Sequence, residues 1–362
     1  MALVGDTALG IALIGAGGMA KHYRDSYVGI PGTEYRLVVD VNPETARDAA
    51  ESLGVGRWST DWRDALADDI HIADISTPNH LHTEQAVALL GAGKHVLLQK
   101  PMAPSVAECQ AIVAAAKAAG RLAGVYMSDL EDPLVWDLRE IVQGGYIGRL
   151  SSVRARYAHR GGLRAQATAD NWRGSAEKVG GGAFMQLSIH HINLLCWVLD
   201  DAFTSVMGYS KNLMCPNIGG EDLAACVCEF EKTGALGVFE SAWNADLNTV
   251  EVFGSEGRML FGEGQGGPAE AQLNRPFAGR VIRVDEPGRP IRFPRSGGTS
   301  SHCHRDNPLN QHVAFVRAVL EGQPAAPVPA EVGLYDVAVV KAVYASAEQG
   351  RRVPVAEILA PR

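Results

Sequence analysis

Residues Ile11-Ala12-Leu13-Ile14-Gly15-Ala16-Gly17-Gly18-Met19-Ala20 place a Gly-x-Gly-x-x-Ala turn directly after an apolar run and ahead of a helix-forming one. Few sequence features constrain a fold more tightly. A strand that is apolar at successive positions is buried on both faces, which points to a parallel sheet covered by helices. The turn must be tight at Gly15, open at Gly17 and thin at Ala20, so that the backbone from Gly15 through Gly18 and Met19 approaches a pyrophosphate at the free N–H groups of a helix start. The next apolar run, Tyr35–Val39, ends in Asp40, placed to accept hydrogen bonds from an adenosine ribose. A carboxylate there repels a 2′-phosphate, and Val41-Asn42-Pro43 supplies no arginine to hold one. NAD is the expected cofactor and NADP the less favoured one.

The rest of the first third repeats the alternation of β-rich and helical segments. Strands are expected at Leu9–Ile14, Tyr35–Asp40, Ile70–Ser76, His95–Leu98 and Leu122–Met127, with helices between them. Ser105 and Glu108 form a capping-box pattern at the head of an Ala-rich helix that Gly120 ends. After Pro133 the pattern changes. One helix, Leu134–Gln143, precedes strands at Leu150–Tyr157, Ser205–Tyr209, Ala224–Phe230, Ala235–Trp243, Thr249–Phe253 and Arg258–Phe261, read as one antiparallel sheet. A helix at Ala183–Leu199 interrupts them, and two more, Leu309–Leu320 and Ala330–Glu348, follow a Gly- and Pro-rich stretch, 262–298, that is either edge strand or long loop. The expected fold is therefore α/β plus α+β: a doubly wound parallel Rossmann domain over 1–127 and a mostly antiparallel sheet domain over 128–362. The last helix of that second domain is a candidate to pack back on the first.

A chain of 362 residues is long for one core and fits two domains. Its formal charge of -8, with no cluster of basic and aromatic residues, argues against nucleic acid or an anionic membrane as partner. The first twenty residues have no early basic residue and are broken by Asp6, Gly10, Gly15, Gly17 and Gly18, which fits neither a signal peptide nor a membrane span. The six cysteines form no C-x-x-C pair, so a reducing, cytoplasmic setting is expected.

Two further motifs fall at the carboxyl ends of expected parallel strands: Ser76-Thr77-Pro78-Asn79-His80-Leu81-His82 and His95-Val96-Leu97-Leu98-Gln99-Lys100-Pro101. With the glycine turn, and with Gly180-Gly181-Gly182 followed by Gln186 and His190, they resemble the glucose-fructose oxidoreductase / inositol dehydrogenase / rhizopine-catabolism family, Gfo/Idh/MocA. The resemblance spans nearly the whole chain. It implies that Ser76, Thr77, Pro78, Asn79, His82, Gln99 and Lys100 join Gly15, Gly17, Gly18, Met19 and Asp40 in holding NAD. It further implies that Lys100 reaches the reacting hydroxyl, where an ammonium stabilises developing alkoxide charge. His190 matches the family's histidine, and a neutral imidazole is a fit base for a hydroxyl proton near pH 7. The family has a glutamate where Gln99 stands and an aspartate where Gln186 stands. Gln186 and His190, four apart on one helix, share a face.

Further candidate substrate contacts are Gln186, Asn193 one turn beyond His190, Trp172 and Arg173 ahead of the glycine run, and Asp129 in the acidic stretch 128–132. His302-Cys303-His304 is read against a metal site, because it lacks a third ligand nearby. The implied activity is hydride transfer between NAD and a secondary hydroxyl of a sugar, amino sugar, glycoside or cyclitol. The alternatives are a glycoside-cleaving enzyme that recycles its NAD internally and a non-catalytic sensor of NAD or sugar. The resemblance also implies a homodimer or homotetramer built through the C-terminal sheet.

Overall fold

The computed structural model describes residues 8–164, 168, 170–262, 269–293 and 307–360. Six strands, β1 (Leu9–Ile14), β2 (Thr33–Val39), β3 (Trp58–Ser59), β4 (Ile72–Ile75), β5 (His95–Gln99) and β6 (Ala123–Tyr126), form one sheet in the order β3-β2-β1-β4-β5-β6. All neighbouring strands run parallel. The order reverses between β1 and β4, which opens a crevice at the carboxyl ends of those strands. Helices α1 (Ala20–Tyr23), α2 (Pro43–Leu53), α3 (His82–Gly91) and α4 (Val106–Ala119) connect the strands. Asn42 caps α2, accepting from the Glu44 and Thr45 amides, with Pro43 at the first helical position and Gly54 closing the far end at φ 69°. Only β3 lies outside the expected strands, because two residues are too few to show a period.

The second sheet draws on β7 (Leu150–Ala158), β8 (Phe203–Lys211), β9 (Leu223–Phe230), β10 (Leu236–Ala242), β11 (Thr249–Gly254), β12 (Arg258–Phe261) and β13 (Ala269–Gln272). A hairpin of β14 (Phe277–Ala278) and β15 (Arg283–Val284) stands apart, while β16 (Ile291–Phe293) and β17 (Val353–Pro354) form the two edges. The order is β16-β13-β12-β11-β7-β10-β9-β8-β17. The stretch left open as strand or loop therefore supplies edge strands as well as a hairpin. The sheet is also not wholly antiparallel, since β7 and β10 pair in parallel. Alternation fixes which face a side chain takes but not which way a strand runs. Along β9 and β10 the residues alternate between buried and more exposed. Phe203, Phe230 and Phe239 meet on the buried face with centroids 4.9 and 5.1 Å apart.

The remaining helices are α5 (Pro133–Gln143), α6 (Ala176–Val179), α7 (Ile189–Leu199), α8 (Gln311–Leu320), α9 (Ala330–Gln349) and α10 (Val355–Leu359). A π turn, Phe184–Ser188, runs directly into α7. The stretch 176–199 is apolar and long enough to cross a membrane, yet it is core of the second unit, with 83% of its most apolar window buried. Gly208 of β8 leaves room for α9: an added Cβ there would fall 2.8 Å from Val343 Cγ1.

The described residues divide into two units, 8–103, 107–131 and 307–334 in the first, and 104–106, 132–293 and 335–360 in the second. The division is not the simple cut expected after residue 127. The segment with α8 returns to the first unit, where Phe315 is fully buried and lies against Gly124 of β6, 3.1 Å from where a Cβ would stand. Glu131, also fully buried, accepts from the Gln311 amide at 2.7 Å and the Tyr126 hydroxyl at 3.2 Å. A hydrophobic pattern reports that a helix has an apolar face, not which core receives it.

Beneath the first sheet lies a buried polar pocket. Asp74 of β4 accepts from the Tyr27 hydroxyl at 2.9 Å and the Tyr23 hydroxyl at 3.3 Å. His312 stacks on Tyr23 at 4.1 Å and is held neutral by burial, its pKa pushed down to about 3. Burial pushes Asp74 the other way, up to about 7, against the lowering effect of its two tyrosines. The folded chain therefore keeps a proton on Asp74 that the unfolded chain releases above its ordinary value of 3.8. This contribution is complete below that value and is lost as pH rises through about 7. Between pH 5 and pH 8 the native protein should lose about 2–3 kcal/mol relative to Asp74→Asn, as read by urea denaturation at both pH values. Parallel curves for the two proteins would show that Asp74 is ionised in the fold.

Candidate active site

The glycine turn links β1 to α1. Gly15 adopts φ +89°, and a Cβ there would lie 2.8 Å from the Ser76 backbone and 2.9 Å from the Thr77 amide. Its own amide donates to Val39 O at 2.8 Å. The turn is thus wedged between the ends of β2 and β4, and only glycine fits the wedge. Gly17 differs. A Cβ on it would meet only the Asp40 carboxylate, at 3.7 Å, so the protein itself leaves that space open. Gly18 and Met19 are exposed beside it, and Ala20 is fully buried where α1 packs down. Asp40 Oδ2 accepts from the Ala16 amide and Oδ1 from the Asn42 amide, both at 3.0 Å, which fixes the carboxylate at the mouth of the turn. This is the cradle that a dinucleotide's diphosphate and ribose require.

At the end of β4, Asn79 Nδ2 is buried with no hydrogen-bond partner among the described residues, whereas Ser76 and Gln99 meet the buried Tyr23 hydroxyl. Buried donors are normally satisfied, so Asn79 fits a ligand that satisfies it. Pro78 precedes the 3-10 turn that carries Asn79, and Thr77 Oγ1 donates to Gln85 Oε1 at 2.7 Å. His82 is fully buried, with ring nitrogens 2.9 Å from Thr77 O and 3.1 Å from Met102 O. Burial holds its pKa down against those carbonyls. Held neutral, His82 has one N–H, which donates to one of these two strand-end carbonyls. Lys100, half-buried, follows Gln99 at the end of β5. Asp129 is buried in the 3-10 turn Ser128–Glu131, whose acidic neighbours serve helices: Glu131 meets the head of α8, and Asp132 caps α5 through the Leu134 amide at 2.8 Å.

In the second unit the glycine run heads the helix that carries Gln186 and His190. A Cβ on Gly180, at φ +87°, would fall 2.1 Å from Pro104 O, one on Gly181 2.2 Å from the Tyr344 hydroxyl, and one on Gly182 2.1 Å from Glu221 O. The run is glycine because three other segments close on it. Sequence reasoning missed two of the residues behind that closure. Glu221 Oε1 accepts from the Phe184 amide and from Tyr344, both at 2.8 Å. The same tyrosine hydroxyl accepts from the Met185 amide at 3.1 Å and the Gly182 amide at 3.3 Å. Lys341 donates to Gly180 O at 2.6 Å. Burial pushes the Glu221 carboxyl above its usual range, and the tyrosine and backbone donors pull it back. The one available signal was an acid after Gly219-Gly220 in an apolar neighbourhood.

Gln186 lies inside the π turn, not on the regular helix that the spacing suggested, and its Nε2 donates to Arg173 O at 2.8 Å. His190 is 7% exposed, its ring 5.4 Å from that of Tyr157 on β7. Asn193 donates to Asp336 Oδ2 at 2.9 Å within the core. Burial pushes Asp336 up to about 8. Trp172 is half-buried and Arg173 exposed, with the guanidinium 4.6 Å over the indole ring. Among the described residues no cluster of three or more His, Cys, Asp or Glu could hold a metal, and His302, Cys303 and His304 lie outside those residues.

Comparison with known proteins finds two family matches, the first ending at the boundary expected from the sequence. Residues 9–127 match the description "Oxidoreductase family, NAD-binding Rossmann fold", and residues 135–260 match "GFO/IDH/MocA C-terminal domain". Levoglucosan dehydrogenase of Pseudarthrobacter phenanthrenivorans is 28% identical over 286 residues, covering 70% of this chain and 73% of the relative. Myo-inositol 2-dehydrogenase of Thermotoga maritima is 25% identical over 96% of this chain and 99% of its own. Among solved structures, an oxidoreductase domain protein from Kribbella flavida superposes with a TM-score of 0.82 at 28% identity, covering 96% of this chain and 99% of the other. A levoglucosan dehydrogenase in complex with NADH and levoglucosan gives 0.82 at 25% identity, covering 96% and 100%.

The contrast between the two glycines of the turn gives a direct check. Gly17→Ala should leave the melting temperature within about 2 °C of the native protein and weaken NAD binding about tenfold or more, since its methyl fills only ligand space. Gly15→Ala should lower the melting temperature by several degrees through clash and positive φ. Calorimetry with and without NAD separates the two, and equal thermal losses would refute the distinction.

Proposed function

The chain belongs to the Gfo/Idh/MocA family of oxidoreductases, and from that premise we propose that it oxidises, reversibly, a secondary hydroxyl of a sugar, sugar derivative or cyclitol with NAD. The reading is carried by an open diphosphate cradle at Gly17 and Asp40 in the first unit and, in the second unit, by a nearly buried imidazole, His190, on the helix that the glycine run heads. Bound NAD supplies the hydride acceptor. In this reading His190 takes the hydroxyl proton as the carbon loses hydride, so that one proton and one hydride leave and a carbonyl forms. The Lys100 ammonium stabilises the charge that develops on the departing proton's oxygen. Trp172 and Arg173 are assigned to holding the substrate, with Asp129 as a further polar group, whereas the Asn193 amide donates to Asp336 in the core. The relatives act, by name, on levoglucosan, inositols, 1,5-anhydro-D-fructose and glucose 6-phosphate, which supports the substrate class.

NAD reduction followed at its absorbance band, with levoglucosan, myo-inositol, scyllo-inositol, glucose 6-phosphate and a set of amino sugars and glycosides, tests the proposal. Turnover of at least one is expected, and Lys100→Ala and His190→Ala should each lower kcat by about 10²–10⁴-fold. Full activity in either variant would remove that residue from the chemistry. Bound NAD with no net reduction across the panel would replace the dehydrogenase with internal recycling or sensing.

The proposal extends to assembly and compartment. Met207, Val227 and Val238 stand in register across β8, β9 and β10 on the exposed face of the second sheet, with Leu236 and Tyr209 nearby. Arg154 and Glu251 continue the row on β7 and β11. An apolar stripe with a charged margin fits a second copy of the chain, giving a homodimer or homotetramer. Sedimentation at micromolar concentration should show the oligomer, and Val227→Lys combined with Val238→Lys should shift it toward monomer. A native monomer would end this part of the proposal. A cytoplasmic location is supported by five free cysteines among the described residues, four of them buried.

A further inference from the structure

The family pattern has an aspartate where this chain has Gln186, and the structure offers a physical reason for an amide there. The partner of Gln186 Nε2 is the carbonyl of Arg173, at 2.8 Å. A carbonyl only accepts, and the amide nitrogen is the only donor that a glutamine side chain owns. An ionised carboxylate in its place would set acceptor against acceptor. The bond reaches the 3-10 turn Trp172–Gly174, which is otherwise fastened at few points: Asn171 Oδ1 accepts from the Arg173 amide at 3.1 Å, and Gly174 O accepts from the Gly219 amide at 2.7 Å. Arg173 thus has its amide tied to its own turn and its carbonyl tied to the helix of His190. Its guanidinium is steadied separately on the Trp172 ring, at 4.6 Å.

The π turn makes that reach stable. Gln186 sits at the middle of Phe184–Ser188, and the start of the turn is pinned by the Tyr344 hydroxyl on the Gly182 and Met185 amides. Single π turns inside helices are uncommon and often mark functional sites. We propose that Gln186 is a positioning residue whose amide ties the Trp172–Arg173 turn to the helix carrying His190, so that the two reach the substrate in fixed register. This rests on the assignment of Trp172 and Arg173 to the substrate made above. In this chain, glutamine at position 186 exchanges the negative charge of the family pattern for a tether that a carboxylate cannot make.

Gln186→Glu is nearly isosteric and regains a donor only when protonated, so pH tests the tether in the full-length protein. Peptide-resolved amide exchange over 170–180 is compared with native protein at pH 7 and pH 4, with Gln186→Ala alongside. At pH 7 both variants should exchange about fivefold faster than native, the equivalent of one net hydrogen bond. At pH 4 the glutamate variant should return toward the native rate while the alanine variant stays fast. Native-like exchange of Gln186→Glu at pH 7, or identical behaviour of the two variants at both pH values, would overturn the tether. Kinetics with NAD and whichever panel compound is turned over separate the two layers of argument. A raised KM with kcat within about twofold supports both. A loosened turn with unchanged KM keeps the tether and removes Trp172 and Arg173 from the substrate. The exchange arm decides even if no panel compound reacts.

Discussion

The second unit is organised around one problem, the unsatisfied amides at the head of the helix that begins at Ala183. A helix start leaves four N–H groups without partners inside the helix, and a Ser, Thr, Asp or Asn cap is the usual remedy. No side chain at the Ala183 position serves here. The chain uses Glu221 and Tyr344, which are 123 residues apart in sequence and hydrogen-bonded at 2.8 Å. Their atoms come so close to the backbone that any Cβ on Gly181 or Gly182 would collide. The glycine run and the distant cap are therefore one device. A buried carboxylate is expensive, as the upward push on Glu221 shows. Hydrogen bonds to a charged group, each contributing about 1.5–3 kcal/mol, and the positive end of the helix offset the cost.

The first unit solves a related problem with backbone alone. The end of β1 must pass within van der Waals contact of the Ser76 backbone at the end of β4, and Gly15 permits it. That contact sets the width of the crevice at the point where strand order reverses. Asp40, held by the Ala16 and Asn42 amides, then faces the open side of Gly17. The partnerless donor of Asn79 belongs to the same edge. A polar group buried without a partner weakens a fold, so its place where a cofactor is expected connects stability to binding.

What could be read from sequence follows the range of the interaction. The strands of the first sheet were legible because continuous apolar runs such as Leu9–Ile14 leave few other readings. The glycine turn and Asp40 were legible because the chemistry there is made by residues close in sequence. The parallel pairing of β7 with β10 was not, since alternation carries no direction. Nor was the return of α8 to the first unit, which depends on Phe315 finding room at Gly124. The π turn escaped because one widened turn leaves too little periodic trace, and with it went the idea that Gln186 and His190 lie on one regular helix face. Glu221, Tyr344 and Asp336 escaped because their partners lie on other elements.

Two glutamines where the family pattern carries acids look at first like a loss of chemistry. The reaction asks for a proton acceptor and a cation close to the developing alkoxide. In the reading proposed above, His190 and Lys100 are assigned these roles, and the assignment passes through neither position 99 nor 186. What a glutamine changes is hydrogen-bond polarity: a carboxylate only accepts, whereas an amide also donates. At position 186 the donor is used against a backbone carbonyl. At position 99 the amide is buried at the strand edge and faces the Tyr23 hydroxyl.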